Sequence, residues 1–298
     1  MQRDAAGLIG GGNSLHIILF PLPSSINSNS FKYNCRQIQT NFMYRKSTSL
    51  KLAWAVTGAG HFLPESFNVF IDLKVRYPDL KITTFMSQAA EEVITMYGLG
   101  PQLTGISCGG YLEECIHESE QGASFPKTGR FLLQRYDALI ISPATSNTVA
   151  KLAYGIADTL VTNAAAQAVK GGVPVLIVPV DIEGAIESRM PFFIDREICQ
   201  KCEFCPPSVE CGRSAITDQI DLLKCDGCGN CVKLCSYGAI RKSAAKLKVR
   251  DVDARNVKIL RELEGFMVFD HPDKIPGAVE KIRMHKLKYQ NEITEGQR

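Results

Sequence analysis

The sequence predicts an α/β fold, in which a parallel β-sheet carries helices on both faces, together with a separate segment rich in cysteine. Short apolar runs alternate with amphipathic stretches from residue 50 onward, which is typical of parallel strands connected by helices. Small and hydroxyl residues follow several of these runs. Eight of the eleven cysteines fall within residues 199–235. These observations predict one sheet domain and one cysteine-rich domain.

The composition limits the class of protein. The 298 residues are 45% hydrophobic and 22% charged, which is ordinary for a globular protein of one or two domains. The net charge of +3 does not favour a nucleic-acid partner, which needs a basic face. No apolar run approaches the roughly 18 residues that span a bilayer. We therefore expect no nucleic-acid partner, no membrane, and a reducing, cytoplasmic location for so many thiols.

Residues 1–49 differ from the rest of the chain. They are rich in Ser, Asn and Gly and show no clean period. The apolar piece at 16–20 is short and no basic segment precedes it, so it is not typical of a secretory signal. We expect a disordered tail or an upstream extension of the reading frame, with Met43 as an alternative start.

The first predicted strand is the apolar run 52–56, which has the pattern of a strand buried on both faces. Pro64 then begins a helical pattern with apolar residues on one face, and proline is well suited to a first helical turn. A Tyr-Pro-Asp sequence at 77–79 ends this helix. The turn between strand and helix consists of Thr57, Gly58, Ala59 and Gly60.

The second strand is predicted at 80–86, and Ser87 is suited to cap a helix over 88–97. Residues 101–136 give no clear pattern. The third strand is predicted at 137–141. The loop that follows it consists of Ser142, Pro143, Ala144, Thr145, Ser146, Asn147 and Thr148.

The sheet continues with two further helices and a strand. Residues 149–154 and the alanine-rich run 163–170 predict helices, and residues 173–180 predict the fourth strand. Gly171 and Gly172 end the second of these helices. The alternation of strand and helix is thus maintained up to the cysteine-rich segment.

The polar loops lie at the carboxyl ends of the predicted parallel strands, where such sheets bind ligands. Backbone N–H groups at helix starts, with Ser or Thr hydroxyls, suit a phosphate; the 57–60 turn and Ser87 are the candidates. Amide and hydroxyl groups of the 142–148 loop can bond the edge of a flavin ring. We therefore predict a flavin mononucleotide (FMN), against the alternative that each loop is only a tight turn. No G-x-G-x-x-G lies between a strand and a helix, so a dinucleotide site is unsupported.

The cysteines form two runs with the spacing of [4Fe-4S] ligands. The first run is Cys199, Cys202, Cys205 and Cys211, and the second is Cys225, Cys228, Cys231 and Cys235. Three closely spaced thiolates hold three corners of one cluster, and in two-cluster ferredoxins the fourth ligand comes from the other run. We therefore predict two clusters, one on Cys199, Cys202, Cys205 and Cys235 and the other on Cys225, Cys228, Cys231 and Cys211.

Two other interpretations of the cysteines are weaker. Structural zinc prefers two paired C-x2-C knuckles that are usually set further apart. A disulfide framework belongs to small secreted chains in an oxidising compartment. We rank zinc below the two clusters, and disulfides below zinc.

The 142–148 loop also carries a family resemblance. Residues 143–148 resemble the PASANT motif of the homo-oligomeric flavin-containing cysteine decarboxylase family. Residues 149–158 and 160–164 resemble the continuation of that motif, which adds Asn163 to the predicted FMN-binding residues. The opening at 52–60 is most similar to the archaeoflavoprotein and dihydromethanopterin reductase branch.

This resemblance covers about residues 50–190 and returns at 249–265, after the cysteines. It implies a parallel-sheet Rossmann-like flavoprotein domain with an inserted small α+β ferredoxin-like 2[4Fe-4S] domain. The implied parts are a tail at 1–49, the flavoprotein domain at 50–190 and 246–290, the ferredoxin-like domain at 191–245, and a tail at 291–298. Within the last part, an apolar stripe at 257–263 predicts a helix, residues 266–269 a strand and residues 276–285 a closing helix.

The resemblance also implies a function. Decarboxylases of this family use a histidine at a place that falls near Gly129, where this chain has none, so flavin redox chemistry is favoured over decarboxylation. The implied oxidoreductase takes electrons from a ferredoxin-like donor through both clusters to FMN. It then reduces dihydromethanopterin or dihydrosarcinapterin to the tetrahydro form for one-carbon metabolism. A homo-oligomer, trimeric or larger, is implied as well, and no catalytic residue or proton donor is identified.

Two alternatives remain open. A non-enzymatic relay between ferredoxin and another redox protein fits the archaeoflavoprotein resemblance equally well. A phosphopantothenoylcysteine decarboxylase-like enzyme is disfavoured by Gly129 and by the clusters.

Overall fold

The structure is a computed structural model that describes residues 49–296, with side chains described as far as Lys288. Of the tail predicted at 1–49, all but Ser49 lies outside the described residues. No helix in the described part of the chain has both the length and the apolar character needed to cross a membrane.

The described residues form eight strands and ten α-helices. The strands are β1 (Lys51–Val56), β2 (Lys81–Met86), β3 (Cys115–His117), β4 (Ala138–Ala144), β5 (Val175–Pro179), β6 (Ala185–Ile194), β7 (Ile240–Lys248) and β8 (Phe266–Val268). The helices are α1 (Leu63–Arg76), α2 (Gln88–Met96), α3 (Gly100–Ile106), α4 (Gly129–Leu132), α5 (Ser146–Ala153), α6 (Leu160–Lys170), α7 (Pro206–Val209), α8 (Asn230–Leu234), α9 (Asp251–Glu262) and α10 (Ile275–Gly296).

Six strands form one parallel sheet in the order β3-β2-β1-β4-β5-β8. This confirms the predicted α/β class. Five of the six strands lie where the apolar runs predict them. The edge strand β3 was not predicted, because it has only three residues and contributes a single fully buried side chain, Ile116, to the core.

Helices pack on both faces of the sheet, as expected for strands that are apolar throughout. On one face the Trp54 ring stacks on Phe70 of α1, with ring centroids 4.2 Å apart. On the other face Phe85 of β2 contacts Phe131 of α4, with centroids 5.6 Å apart. All four side chains are fully buried, so the strands are held rigidly between two apolar layers.

Three predicted boundaries were wrong. Strand β4 continues to Ala144, because Ala144 pairs with Pro179 of β5 after a register shift, so residues 142–144 end a strand rather than begin a loop. Helix α5 begins at Ser146 because the Thr145 hydroxyl caps it by accepting the Thr148 N–H. Helix α6 begins three residues earlier than predicted, at Leu160, because Thr159 and Thr162 form a reciprocal capping box.

Strands β6 and β7 pair antiparallel on either side of the cysteine-rich segment, with Ile194 opposite Ile240 at the end nearest the cysteines. The chain leaves the main sheet after β5 and returns to it through α9 at β8. The predicted segment edges at 191 and 245 fall inside these two strands. Helix α10 continues to Gly296, beyond the predicted end at 285 and into the segment that was predicted to be a tail.

Candidate cofactor sites

Thr57 joins the first predicted flavin segment to the second. Its hydroxyl donates to the carbonyl oxygen of Pro143 (2.8 Å) and accepts the N–H of Thr145 (2.9 Å). The side chain is buried. The 57–60 turn and the 142–148 segment therefore lie side by side at the carboxyl ends of β1 and β4, as the sheet topology predicts.

Buried hydrogen bonds join the start of the 142–148 segment to β1 and to α1. Trp54 Nε1 donates to the carbonyl oxygen of Ser142 (2.7 Å), and the hydroxyls of Ser142 and Ser66 lie 2.7 Å apart. Ser142 is completely buried. Its hydroxyl therefore holds α1 against β4, and it faces the protein interior rather than a ligand.

The end of the segment forms the first turn of α5. The hydroxyls of Thr145 and Thr148 are 3.0 Å apart, and the Ser146 hydroxyl donates to the Asp181 carboxylate in the loop after β5. Asn147 is exposed at this helix start. Its amide is therefore accessible from outside the protein, and its role in binding FMN stays a prediction.

The 57–60 turn packs directly on α2 and on the residue after it. A Cβ placed on Gly58 would lie 2.5 Å from Ala89 Cβ, and one placed on Gly60 would lie 2.1 Å from the Tyr97 hydroxyl. Gly58 therefore has no room for a side chain, and a side chain on Gly60 would have to displace the Tyr97 ring. The third predicted segment, at Ser87, is thereby brought beside the first.

The Glu118 carboxylate binds backbone N–H groups near Ser87, where we predicted that a phosphate binds. Its carboxylate accepts from Gln88 N (2.9 Å) and from Leu160 N (2.8 Å), at the starts of α2 and α6. The Ser87 hydroxyl accepts the N–H of Ala90. This arrangement was not predicted, since Glu118 lies in the stretch without a clear pattern.

Asn163 lies in the first turn of α6, where its side chain forms hydrogen bonds with the backbone just before the helix. Asn163 Nδ2 donates to the carbonyl oxygens of Ala157 (2.8 Å) and Thr159 (3.1 Å). Both donor hydrogens of the amide are thus occupied. Asn163 shapes the loop between α5 and α6.

A cavity of about 260 Å³ opens beside Gly60. It is lined by Gly60, His61, Phe62, Pro64, Glu65, Glu187 and Arg189. The His61 ring lies 3.9 Å from the Phe62 ring, and burial lowers the pKa of His61 even though Glu65 and Asp181 oppose that shift. A neutral imidazole and two carboxylates therefore border this cavity at the edge of the predicted flavin site.

A second cavity, of about 250 Å³, contains one of the two predicted cluster sites. Among the residues that line it are Cys211, Cys225, Cys228 and Cys231. This is the set in which one cysteine of the first run joins three of the second. Ile216 and Ile220, both buried, close its apolar side. A four-thiol cavity with an apolar wall fits the donor set of a [4Fe-4S] cluster.

The other predicted set is anchored on the two-stranded arm. Cys199 N donates to the carbonyl oxygen of Asp195, and Cys199 and Cys235 pack with Ile194 and Ile240 in one apolar cluster. Cys202 is exposed. No cysteine in the described residues forms a disulfide, and no three Cys, His, Asp or Glu side chains there converge on a single metal ion.

Comparisons with known proteins support the two kinds of site. A family model described as Flavoprotein matches residues 41–186, and one described as 4Fe-4S binding domain matches residues 218–241. The second match contains only the second cysteine run, so the presence of a [4Fe-4S] domain is confirmed and the number of clusters stays a prediction.

Two relatives are similar over nearly their whole length. Dihydromethanopterin reductase (acceptor) of Methanosarcina mazei is 58% identical over 231 residues, which are 76% of this chain and 97% of that protein. Dihydromethanopterin reductase (acceptor) of Methanocaldococcus jannaschii is 49% identical over 237 residues, or 78% of this chain and 96% of that protein.

A solved structure is similar as well. Burkholderia xenovorans DmrB in complex with FMN, described as a cubic protein cage for redox transfer, is 26% identical. The alignment covers 81% of this chain and 99% of that chain, with a TM-score of 0.53.

Proposed function

The chain belongs to the dihydromethanopterin reductase (acceptor) family, and from that membership we propose that it is an iron–sulfur flavoprotein that reduces a dihydropterin to the tetrahydro form. The bound groups supply the chemistry, with one-electron transfer at two [4Fe-4S] clusters and hydride transfer at FMN. The main support for the proposal is that a cavity lined by four cysteine thiols occurs in the same chain as a flavoprotein fold. A ferredoxin-like donor is the proposed source of electrons.

The residues proposed to hold FMN fall into two groups. Thr57 and Ser142 fix the ends of β1 and β4 through buried hydrogen bonds. The 57–60 turn and the start of α5 then offer backbone N–H groups, and Asn147 offers an exposed amide. Groups of this kind suit a phosphate and the polar edge of a flavin ring. This donor set fits FMN.

The cavity beside Gly60 is the proposed place for the pterin. Glu187 lines it, as does Glu65, whose carboxylate also lies 3.5 Å from the Arg189 guanidinium, and a carboxylate is a suitable acceptor for the amino and ring N–H groups of an aminopyrimidine. Phe62 offers an aromatic face for a planar ring. These features favour the reductase over a simple electron relay, which needs no open cavity beside the flavin.

We propose that the chain works as a homo-oligomer. Tyr154 and Ile156 follow α5 and are 64% and 48% exposed. Large apolar side chains beside a cofactor site are suited to contact with a second copy of the chain. The cage described for the Burkholderia protein is in keeping with such an assembly.

The test is an anaerobic assay in which chemically reduced ferredoxin is the only electron donor. We expect dihydromethanopterin to be converted to tetrahydromethanopterin in proportion to the ferredoxin oxidised, and no conversion when either ferredoxin or the protein is omitted. Flavin that becomes reduced while the dihydropterin stays unchanged would contradict the reductase and favour the relay.

A further inference from the structure

We propose that the cluster on Cys211, Cys225, Cys228 and Cys231 is the one that exchanges electrons with the flavin, and that a backbone contact between Gly98 and Gly227 sets the length of that route. The inference rests on the proposed function, because it takes both kinds of cofactor as present. It concerns the order of the two clusters, which neither the sequence nor the family membership specifies.

The first step of the route is the contact of the two glycines. Gly227 lies between Cys225 and Cys228, and its N–H donates to Cys225 Sγ at 3.4 Å. A Cβ placed on Gly227 would lie 2.4 Å from Gly98 N and 2.6 Å from the carbonyl oxygen of Met96. The loop that carries the thiols therefore rests on the backbone after α2, with no side chain between them.

Both glycines have a left-handed backbone, with φ of +70° at Gly98 and +65° at Gly227. Other residues adopt this conformation only at a cost. The left-handed backbone and the close contact between the two loops thus both require glycine at position 98 and at position 227. A contact so restricted fixes the distance between the two loops.

The second step leads from Gly98 to the flavin turn through its neighbour Tyr97. The Tyr97 hydroxyl donates to the carbonyl oxygen of Arg189 at 2.5 Å, and it lies where a Cβ on Gly60 would be 2.1 Å away. Burial raises the pKa of Tyr97, so the phenol stays protonated and keeps this hydrogen bond. A continuous path of bonds and contacts therefore joins Cys225 to the 57–60 turn.

Cysteines of both sets pack against the same buried isoleucines, but the Cys199 set has its backbone anchor on the two-stranded arm. Cys199 N bonds to Asp195, whose own N–H donates to the carbonyl oxygen of Ala239 on the side of β7. One thiol of each set is exposed, Cys202 and Cys228, and Phe204 beside Cys202 is 68% exposed. An exposed thiol beside an exposed aromatic ring suits a docked electron donor, so this set is the proposed entry point.

The electron balance is simple. The external donor, an iron–sulfur protein, loses one electron for each electron that enters at the Cys199 set. The Cys211 set passes that electron on, and FMN gains it. Two such transfers, with protons taken from water, complete the reduction of one FMN.

The proposed test uses Gly227→Ala in the protein with both kinds of cofactor bound. Reduced ferredoxin is mixed with the oxidised protein under anaerobic conditions, and cluster and flavin absorbance are followed separately. We expect the clusters to be reduced at the normal rate while flavin reduction slows several-fold, because the rate of electron transfer between two bound groups falls steeply as they move apart. Iron and FMN contents are measured first.

Gly122→Ala is the matched control. Its φ of +60° imposes the same kind of backbone strain, but a Cβ there would meet no atom within 4 Å, and the residue lies outside both cysteine runs and the flavin segments. Flavin reduction in this variant is expected at the normal rate. Hydrogen exchange supplies a readout without turnover, because the amides of residues 96–99 are expected to exchange faster in Gly227→Ala and unchanged in Gly122→Ala.

Normal flavin reduction in Gly227→Ala, with full iron and FMN, would overturn the inference. If that variant loses iron, Gly98→Ala replaces it, since its Cβ would lie 2.8 Å from the carbonyl oxygen of Gly227 and disturbs the contact from the flavin side. The assay contains no dihydropterin, so a failure of the proposed substrate would leave its result unaffected.

Discussion

At the scale of single residues, the candidate flavin site separates side chains that face a ligand from side chains that hold the site together. Thr57, Ser142 and Asn163 use their polar atoms on the chain itself. Asn147 is exposed at the start of α5. Sequence identifies the polar residues in such loops, but it does not show which of them already have partners.

Asn147→Asp is expected to weaken FMN binding about tenfold. The change replaces an amide donor with a carboxylate, and losing a hydrogen bond to a bound group costs about 1–3 kcal/mol. Fluorescence titration of the apoprotein with FMN measures the effect. Asn68→Asp, an exposed site on α1, is the control. Equal FMN affinity in both variants would remove Asn147 from the site.

Thr57→Val is expected to destabilise the fold by about 1–3 kcal/mol, because it leaves a buried carbonyl and a partly buried N–H without partners. These are the carbonyl of Pro143 and the N–H of Thr145. Thr104→Val, on the exposed side of α3, is expected to change stability by no more than about 0.5 kcal/mol. Urea unfolding of both apoproteins makes the comparison, and equal midpoints would show that the Thr57 bridge contributes nothing.

At the scale of secondary-structure elements, the unpredicted strand β3 is held by an ion pair. Glu114, next to β3, accepts two hydrogen bonds of 2.9 Å from Arg130 of α4. This hydrogen bonding to Arg130 lowers the pKa of Glu114 to about 2. Neither Glu114 nor Arg130 lies in a stretch with periodic apolar residues, so the sequence pattern alone could not show that the two residues form a pair. A bidentate pair of this kind fastens the sheet edge beside Glu118.

Glu114→Gln is expected to lower stability at pH 7 by about 2–3 kcal/mol. Because the folded pKa is lowered from 4.5 to about 2, the carboxylate stabilises the fold above about pH 4.5, and that contribution is lost as the pH falls towards 2. The difference in stability between Glu114→Gln and the parent protein should therefore become smaller at acid pH. Thermal unfolding from pH 3 to 7 measures it.

Glu120→Gln is the control for this pair, since Glu120 is exposed nearby. It is expected to match the parent at every pH. A difference in stability between Glu114→Gln and the parent that stays constant between pH 3 and 7 would contradict the assigned role of the carboxylate.

At the scale of the whole molecule, the sequence predicted five of the six strands of the main sheet but not the contacts that join the sheet to the cysteine-rich segment. Apolar runs such as 52–56 indicate strands because burial on both faces leaves a continuous signal. Strands β6 and β7 are largely exposed and carry no such signal, so the arm that flanks the cysteines was not predicted. The contact of Gly98 with Gly227 joins residues more than a hundred positions apart, and no local pattern encodes it.

Cys211→Ala is expected to lower the iron content from about eight to about four atoms per chain, because each of two [4Fe-4S] clusters needs its four thiolates. Cys108→Ala, outside both runs, is expected to keep all the iron. Metal analysis of anaerobically purified protein measures iron and zinc together. Iron that is equal in the two variants, or zinc in place of iron, would contradict the cluster assignment.

Anaerobic reoxidation of the fully reduced protein by dihydromethanopterin is the sharpest test of the reductase assignment. Flavin and cluster absorbance are followed after mixing, with excess reductant removed beforehand. We expect both to return to the oxidised form as tetrahydromethanopterin is produced, with one pterin reduced for every two electrons lost. Flavin and clusters that stay reduced in the presence of the dihydropterin would contradict that assignment.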